Sequence, residues 1–403
     1  MPTYKSPGVY VEDVPPSVRP IAGVGTSTAG FIGVVPNDIV MPDKPAPKAD
    51  GTFDRYTVFM AGKPLLVTSW NEFTINFGEI KGANAILAHA VFGFFSNGGT
   101  RCWVIRVAAQ ADLESLTDEL NAFAAIDEIA IVAVPGATSA AQHDALLTHC
   151  KTLGDRVAVL DGVQTPKANA NDTALSFTPA AISPSARSAA GSFGAIYFPW
   201  IEVQWTEVEN QVTTTRRRFV PPSGHIAGIY ARSDATRGVF KTPANEVVLG
   251  ALSLEHRIGR SIQDGLNPDG INVIREFNGA IKVWGGRTRA DSNSNEFQYV
   301  GVRRYMNYLR ESIDEGTQWV VFEPNTPSLW KRIERTITGF LTNEWRSGAL
   351  FGESAQRAFF VRCNADTNPP DVRDLGRVVT EIGVATVKPA EFVIFRIEQI
   401  AGG

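Results

Sequence analysis

The stretch SPGVYVEDVPPSVRPI, residues 6–21, limits what this chain can fold into more than any other part of it. Val9-Tyr10-Val11-Glu12-Asp13-Val14 reads as a short strand rich in β-branched and aromatic residues. Pro7 stands before it and Pro15-Pro16 after it. No hairpin partner lies nearby, yet the backbone N–H and C=O groups of a strand need partners. A second strand has the same setting. EFVIFRIEQI, residues 391–400, follows Lys388-Pro389, with Val393, Phe395 and Ile397 on one face and Phe392 and Ile394 on the other. Two readings stand side by side. Each strand is an edge of its own fold, or it is added to a sheet edge on another molecule, whose unpaired groups it satisfies. An arm of about twenty residues reaches at most about 65–70 Å, enough to cross to a second subunit. Proline near both strands stiffens the tether and lowers the entropy lost on docking.

The chain has 403 residues, enough for two or three domains with real cores. Hydrophobic residues make up 44% and charged residues 20%, the balance of a globular protein rather than a disordered one. The net charge is −4, from 38 basic and 42 acidic residues, so charge gives no case for binding nucleic acid or an anionic membrane. No apolar run approaches the roughly 20 residues that span a bilayer, so no direct membrane insertion is expected. No basic region followed by an apolar core marks a signal peptide. Cys102, Cys150 and Cys363 are odd in number and far apart, which points to a reducing compartment rather than a disulfide framework.

Along the chain, IAGVGTSTAGFIGVVPNDIV (21–40) predicts a strand or two with tight turns. KPLLVTSW and TRCWVIRV read as buried strands flanking a helix, NAILAHAVFGFFSNGG, that stops at Asn97-Gly98-Gly99. A βαβ pattern follows: a strand at 128–136, a helix at 138–154 closed by Gly154, and a strand at 156–163. SPSARSAAGS (183–192) is helix-like and leads into the strand-like FGAIYFPWIEV. Strands joined by helices imply a parallel sheet. Residues 213–246 carry little periodicity and read as loop-rich. YVGVRRYMNYLRESIDEG is an amphipathic helix with Val302, Tyr305, Met306, Leu309 and Ile313 at helical spacing. TQWVVFEPN reads as a strand. Thr326-Pro327 then opens a helix whose stripe is Leu329, Ile333, Ile337 and Leu341. QRAFFVRCN and LGRVVTEIGVATV are two more strands, divided by Asn368-Pro369-Pro370. The expected class is α/β, α+β overall. The expected parts are an N-terminal extended arm (1–20), the start of a core (21–110), an inserted α/β domain (111–230), a C-terminal domain (231–388) and a C-terminal strand arm (389–403).

No constellation of reactive residues emerges. His89, His143, His149, His225 and His256 form no metal-ligand pattern, and His143 and His149 fall on different faces of one helix. GVGTSTAG (23–30) is neither a phosphate-cradling loop nor a dinucleotide fingerprint. GxSxG, HExxH and CxxC are missing. Arg216-Arg217-Arg218 follows Glu202, Glu207 and Glu209, the mark of a solvated or salt-bridging face. No catalytic residue, cofactor or metal is predicted. Trp284, Trp319, Trp330 and Trp345 serve a packed core or a subunit contact.

Several segments together resemble contractile tail sheath proteins, the sheath subunits of contractile-tailed phages, tailocins and extracellular contractile injection systems. They are SPGVYVEDV, VPPSGHIAGIYARSDATRGVFKTPANE (220–246), LNPDGINVIREF with VWGGRT (266–288), residues 315–352, and residues 368–397. The resemblance covers the arm and nearly all of 220–400, and is weaker over about 40–215. It implies a subunit of stacked six-fold rings around an inner tube. The terminal strands, Val9, Tyr10, Val11, Glu12 and Val14 with Phe392, Val393, Ile394, Phe395 and Ile397, would complete a mixed sheet in the C-terminal sheath domain of neighbours. The inserted domain would lie outside. The helix from Pro327 to Ser347 is a candidate contact with the tube through Lys331, Arg332, Arg335 and Arg346; an ordinary solvated face is the other reading. The implied partners are further copies of the chain, the inner tube protein, and baseplate and cap or terminator proteins. Assembly is expected in the bacterial cytoplasm, as part of a phage tail or an extracellular particle. A non-contracting cap or baseplate relative, or an enzyme built on the insert with a pocket near 128–165, are the rival readings.

Overall fold

The computed structural model describes residues 20–165, 177–209, 212–291 and 296–394. The strand expected at Val9–Val14 and the positions of Phe395 and Ile397 lie outside these residues. The chain forms two compact units, Val24–Glu311 with Val387–Gly403, and Met1–Gly23 with Ser312–Thr386.

The larger unit is a helix-covered sheet. β1 (Ala29–Val34) is followed by a small hairpin, β2 (Asp43–Pro47) and β3 (Phe53–Arg55), and by β4 (Pro64–Val67). Helices α1 (Trp70–Phe77) and α2 (Ala85–Ser96) lead to β5 (Cys102–Val107). Next come α3 (Thr117–Ala124), β6 (Ile131–Ala133), α4 (Ala140–Leu153) and β7 (Val157–Asp161). After a single turn, α5 (Pro179–Ile182), the chain runs through β8 (Gly194–Phe198), β9 (Ile201–Glu209) and β10 (Val212–Val220). Helix α6 (Ser223–Arg237), short strands β11 (Glu246–Val247) and β12 (Ser253–Leu254), helix α7 (Arg260–Leu266), and β13 (Ile271–Phe277) with β14 (Ala280–Val283) complete it.

Nine strands form one mixed sheet in the order β11-β14-β13-β8-β7-β6-β1-β5-β4. The pairs from β5 through β1, β6, β7 and β8 to β13 are parallel, and antiparallel pairs close both edges. Alternate side chains go to opposite faces. Phe31, Val104, Ala133, Val159 and Tyr197 pack with α1, α2 and α6 through residues such as Phe73, Phe94 and Tyr230. Ile32, Ile105, Val132, Leu160 and Phe198 pack with Phe123 of α3, Leu146 and Leu147 of α4 and Leu266 of α7. Burial on both faces explains the near-continuous apolar runs of these strands. The segment 111–230, expected as an inserted domain of its own, supplies β6, β7 and β8 to this sheet, hydrogen-bonded to β1 on one side and β13 on the other.

The helix expected at 138–154 is α4. Ser139 and Gln142 form its capping box, and Gly154 ends it in the left-handed region at φ 78°. Three expectations need correction. Residues 213–246, read as loop-rich, hold β10 and α6. Helix α6 has no apolar stripe because ten of its fifteen residues are buried. Arg216-Arg217-Arg218 therefore lies in a strand; Arg216 pairs with Glu207 across the β9–β10 hairpin at 3.3 Å. SPSARSAAGS is not one helix; only its end belongs to a 3₁₀ turn, Ala190–Phe193, which Ser188 helps to close.

In the smaller unit, helix α8 (Val300–Thr317), which begins in the larger unit, ends in a 3₁₀ turn, Gln318–Val320. The strand expected from TQWVVFEPN does not form. The Trp319 indole donates back to the Gly316 carbonyl, and Phe322 turns the chain at φ 67°. Helix α9 (Pro327–Arg346) starts as expected, with the Thr326 hydroxyl accepting from the Leu329 N–H. Leu329, Ile333, Ile337 and Leu341 are buried along it. Strand β15 (Phe359–Arg362) packs on α9 and pairs antiparallel with β16 (Glu381–Val384).

Candidate assembly interface

The β15–β16 pair begins as a sequence of alternating residues. Phe359 points into the unit, while Phe360 is half exposed and stacks under Arg362. The register runs from Phe359 opposite Val384 to Arg362 opposite Glu381. Arg362 and Glu381 also form an ion pair at 3.1 Å, exposed and so worth about 0–1 kcal/mol. Two further bonds, Ala385 N–H to Ala358 and Phe351 N–H to Ala385, extend the ladder toward Leu350 and Thr386. The connection is held by buried Asn368. Its amide donates to the Val379 carbonyl at 3.0 Å and its oxygen accepts from Val379 N–H at 2.7 Å, the exchange a strand partner would make. The sheet has two strands among the described residues, so each has one edge with no strand beside it. A two-stranded sheet is marginal alone, and an open edge is a template for another chain.

The C-terminal segment divides sharply at Glu391. Arg287 grips the Glu391 carboxylate with Nε at 2.9 and 3.2 Å and Nη2 at 2.7 Å. The Tyr299 hydroxyl and the Asn267 amide each donate to it at 2.8 Å. Burial pushes this carboxyl up, but the bonds from Arg287, Asn267 and Tyr299 outweigh that and hold it below its ordinary value. Just beyond, Phe392, Val393 and Ile394 belong to no helix or strand and are 71%, 69% and 80% exposed. The Val387–Val393 segment forms one wall of a cavity of about 780 Å³, whose other walls include Phe240, Arg260 and Trp284. Sequence reasoning singled out the apolar residues after Glu391 but not Glu391 itself. Its partner stands 104 positions away, so no local spacing reveals the pair.

The four basic residues of α9 are all exposed. They are not equivalent. Lys331 pairs with Glu334 at 3.4 Å, and Arg332 pairs with Glu323 at 3.5 Å and lies over the Trp319 ring. Arg335 and Arg346 are not paired among the described residues. Of the tryptophans, Trp330 is buried, Trp319 and Trp345 are half-buried, and Trp284 is exposed.

Several titratable groups inside the larger unit are buried and shifted. Burial pushes the Cys150 thiol up to about 12, far from a thiolate at neutral pH. Burial lowers His89 to about 4, with help from Arg218, and His225 to about 3, with help from His89. Burial raises Asp161 to about 6 against hydrogen bonds from Ser223 and Gly136; it ties β7 to the start of α6. In parallel sheets of this kind, ligands bind beyond the carboxyl ends of the strands at the switch point. Beyond the carboxyl end of β1, Arg106 of β5 donates to the Val35 and Phe59 carbonyls and the Asn37 side chain. No group of three or more His, Cys, Asp or Glu residues suited to a metal occurs among the described residues.

With this geometry in place, comparison with known proteins gives a consistent answer. Residues 108–289 match the phage tail sheath protein central domain, and residues 292–400 match the phage tail sheath C-terminal domain. The tail sheath protein of Vibrio phage KVP40 is 29% identical over 181 residues, 44% of this chain and 26% of that protein. A putative prophage major tail sheath protein of Pseudomonas aeruginosa is 26% identical over 192 residues, 46% of this chain and 47% of that protein. The matches thus span from a quarter to about half of the curated relatives. Three solved structures align over nearly the whole length. The helical sheath of the anti-feeding prophage in the contracted state is 28% identical with a TM-score of 0.71, covering 98% of this chain and 100% of that one. A chain of the anti-feeding prophage baseplate gives 28% and 0.70, covering 99% and 100%. The sheath complex of an extracellular contractile injection system, contracted, gives 25% and 0.70 over 99% of both chains. The chain belongs to the phage tail sheath family.

Proposed function

We propose that this chain is the structural subunit of a contractile sheath. Copies polymerise as stacked six-fold rings around an inner tube and shorten to drive that tube through a target envelope. The observation that carries this reading is an open two-stranded sheet in the same chain as an exposed apolar arm, Phe392-Val393-Ile394. The arm of one copy, with Val9–Val14 of another, supplies strands to the β15–β16 edges of a third. The work is conformational: an extended, kinetically trapped lattice passes to a shorter one with larger interfaces, while the arms keep subunits connected. No residue is assigned a catalytic role. Partners are further copies, the inner tube, and baseplate and terminator proteins, with Lys331, Arg332, Arg335 and Arg346 facing the tube. Assembly takes place in the bacterial cytoplasm.

Overexpression followed by negative-stain microscopy tests this. Long tubes with a cogwheel end view support it; soluble monomers or isolated rings overturn it. Isolated rings would favour a second reading, a non-contracting baseplate protein, toward which the likeness to the anti-feeding prophage baseplate points.

A further inference from the structure

We infer that Glu391 is the anchor through which pull on the C-terminal arm enters the nine-stranded sheet. The inference rests on the donated-arm reading above and adds the point at which the arm is held. Four donors from three residues converge on one carboxylate: Arg287 Nε and Nη2, Tyr299 Oη and Asn267 Nδ2. Arg287 and Glu391 are 12% and 19% exposed, so water competes weakly for the pair. Paired guanidinium and carboxylate planes resist both sliding and twisting. The chain of contacts continues inward. The Arg287 N–H donates to the Asn272 side chain at 2.7 Å, and the Asn272 amide donates back to the Arg287 carbonyl at 2.8 Å and to Ile196 of β8 at 3.1 Å. Asn272 itself sits in β13, fully buried. Tension on residues after Glu391 therefore reaches strands β13 and β8 of the sheet in two side-chain steps. Val387–Val393 otherwise lies along the wall of the cavity described above, and without the clamp a donated strand loses its fixed point of departure.

The test compares full-length chains. Glu391→Gln removes the charge and keeps the shape; Tyr299→Phe removes one donor and is the milder variant if the first does not fold. Each is checked by circular dichroism, then by hydrogen exchange over 387–391 and by tube length in negative stain. The expected result is a folded protein, faster exchange confined to that segment, and loss of long tubes. The double swap Arg287→Glu with Glu391→Arg is expected to restore tubes at least in part. A chain lacking 395–403 is the control. If the control forms no tubes while Glu391→Gln forms tubes of full length with unchanged exchange, the anchor is wrong and the donated arm stands. If the control forms normal tubes, the donated arm falls and the anchor with it.

Discussion

A methyl group on Gly224 would fall on the backbone of Ala90, and one on Gly228 on the backbone of Phe94. These two glycines let α6 lie directly against α2, and neither neighbour is a flexible side-chain end. Gly228→Ala is expected to cost about 1–3 kcal/mol, read as a lower denaturant midpoint with unchanged slope. The same helix carries Asp234, whose carboxylate pairs with buried Arg304 of α8, bidentate at 2.8 and 2.6 Å, and also accepts from the Thr26 hydroxyl. Asp234→Ala strands a buried guanidinium and should cost about 3–5 kcal/mol. Acid should act through His89 and His225. Their folded values, about 4 and about 3, lie below the ordinary 6.5, and His89 Nε2 and His225 Nδ1 have no hydrogen-bond partner. The unfolded chain takes up protons first, so stability is full above about pH 6.5 and falls as pH drops from there toward 3–4. Each pKa unit is worth about 1.4 kcal/mol. A plot of melting temperature against pH checks this, and Gln at both positions should make it shallower, with His149, which burial lowers to about 4, still contributing.

At the scale of elements, legibility followed the local chemistry. Helix α4 was readable because its signals are local: Ser139, Gln142 and Gly154 mark its ends within the window that forms it. Helix α9 was readable from Thr326-Pro327 and one buried stripe. Helix α6 was not, since a helix buried on most sides has no polar face to set a period. The strand expected at 317–325 failed for the opposite reason. Its apolar residues match a strand, but bonds within the turn and the left-handed Phe322 decide the backbone. Glu391 was hidden because it pairs across 104 positions. On α9, the proposed contact with the tube predicts a split among the four cations. Arg335→Glu with Arg346→Glu breaks no ion pair within the described residues and should leave the melting temperature nearly unchanged. It should reduce co-sedimentation of the sheath with isolated tubes, most strongly at low salt, the difference from the unaltered chain shrinking as salt screens the charges.

At the scale of the whole molecule, the larger unit is centred on the nine-stranded sheet and carries the exposed Phe392-Val393-Ile394, while the smaller unit holds the two-stranded β15–β16 sheet. Rigid cores with tethered ends suit a lattice whose subunits move without parting. Removing residues 1–20 should leave a folded, soluble chain that forms no tubes in negative stain. The most direct measurement is an electron cryomicroscopy map of tubes assembled from the full chain, traced at side-chain resolution. The account predicts strands containing Val9–Val14 and Phe392–Ile397 from two other copies, hydrogen-bonded to the free edges of β15 and β16. Both chain ends folded back on their own subunit, with those edges empty, would contradict it.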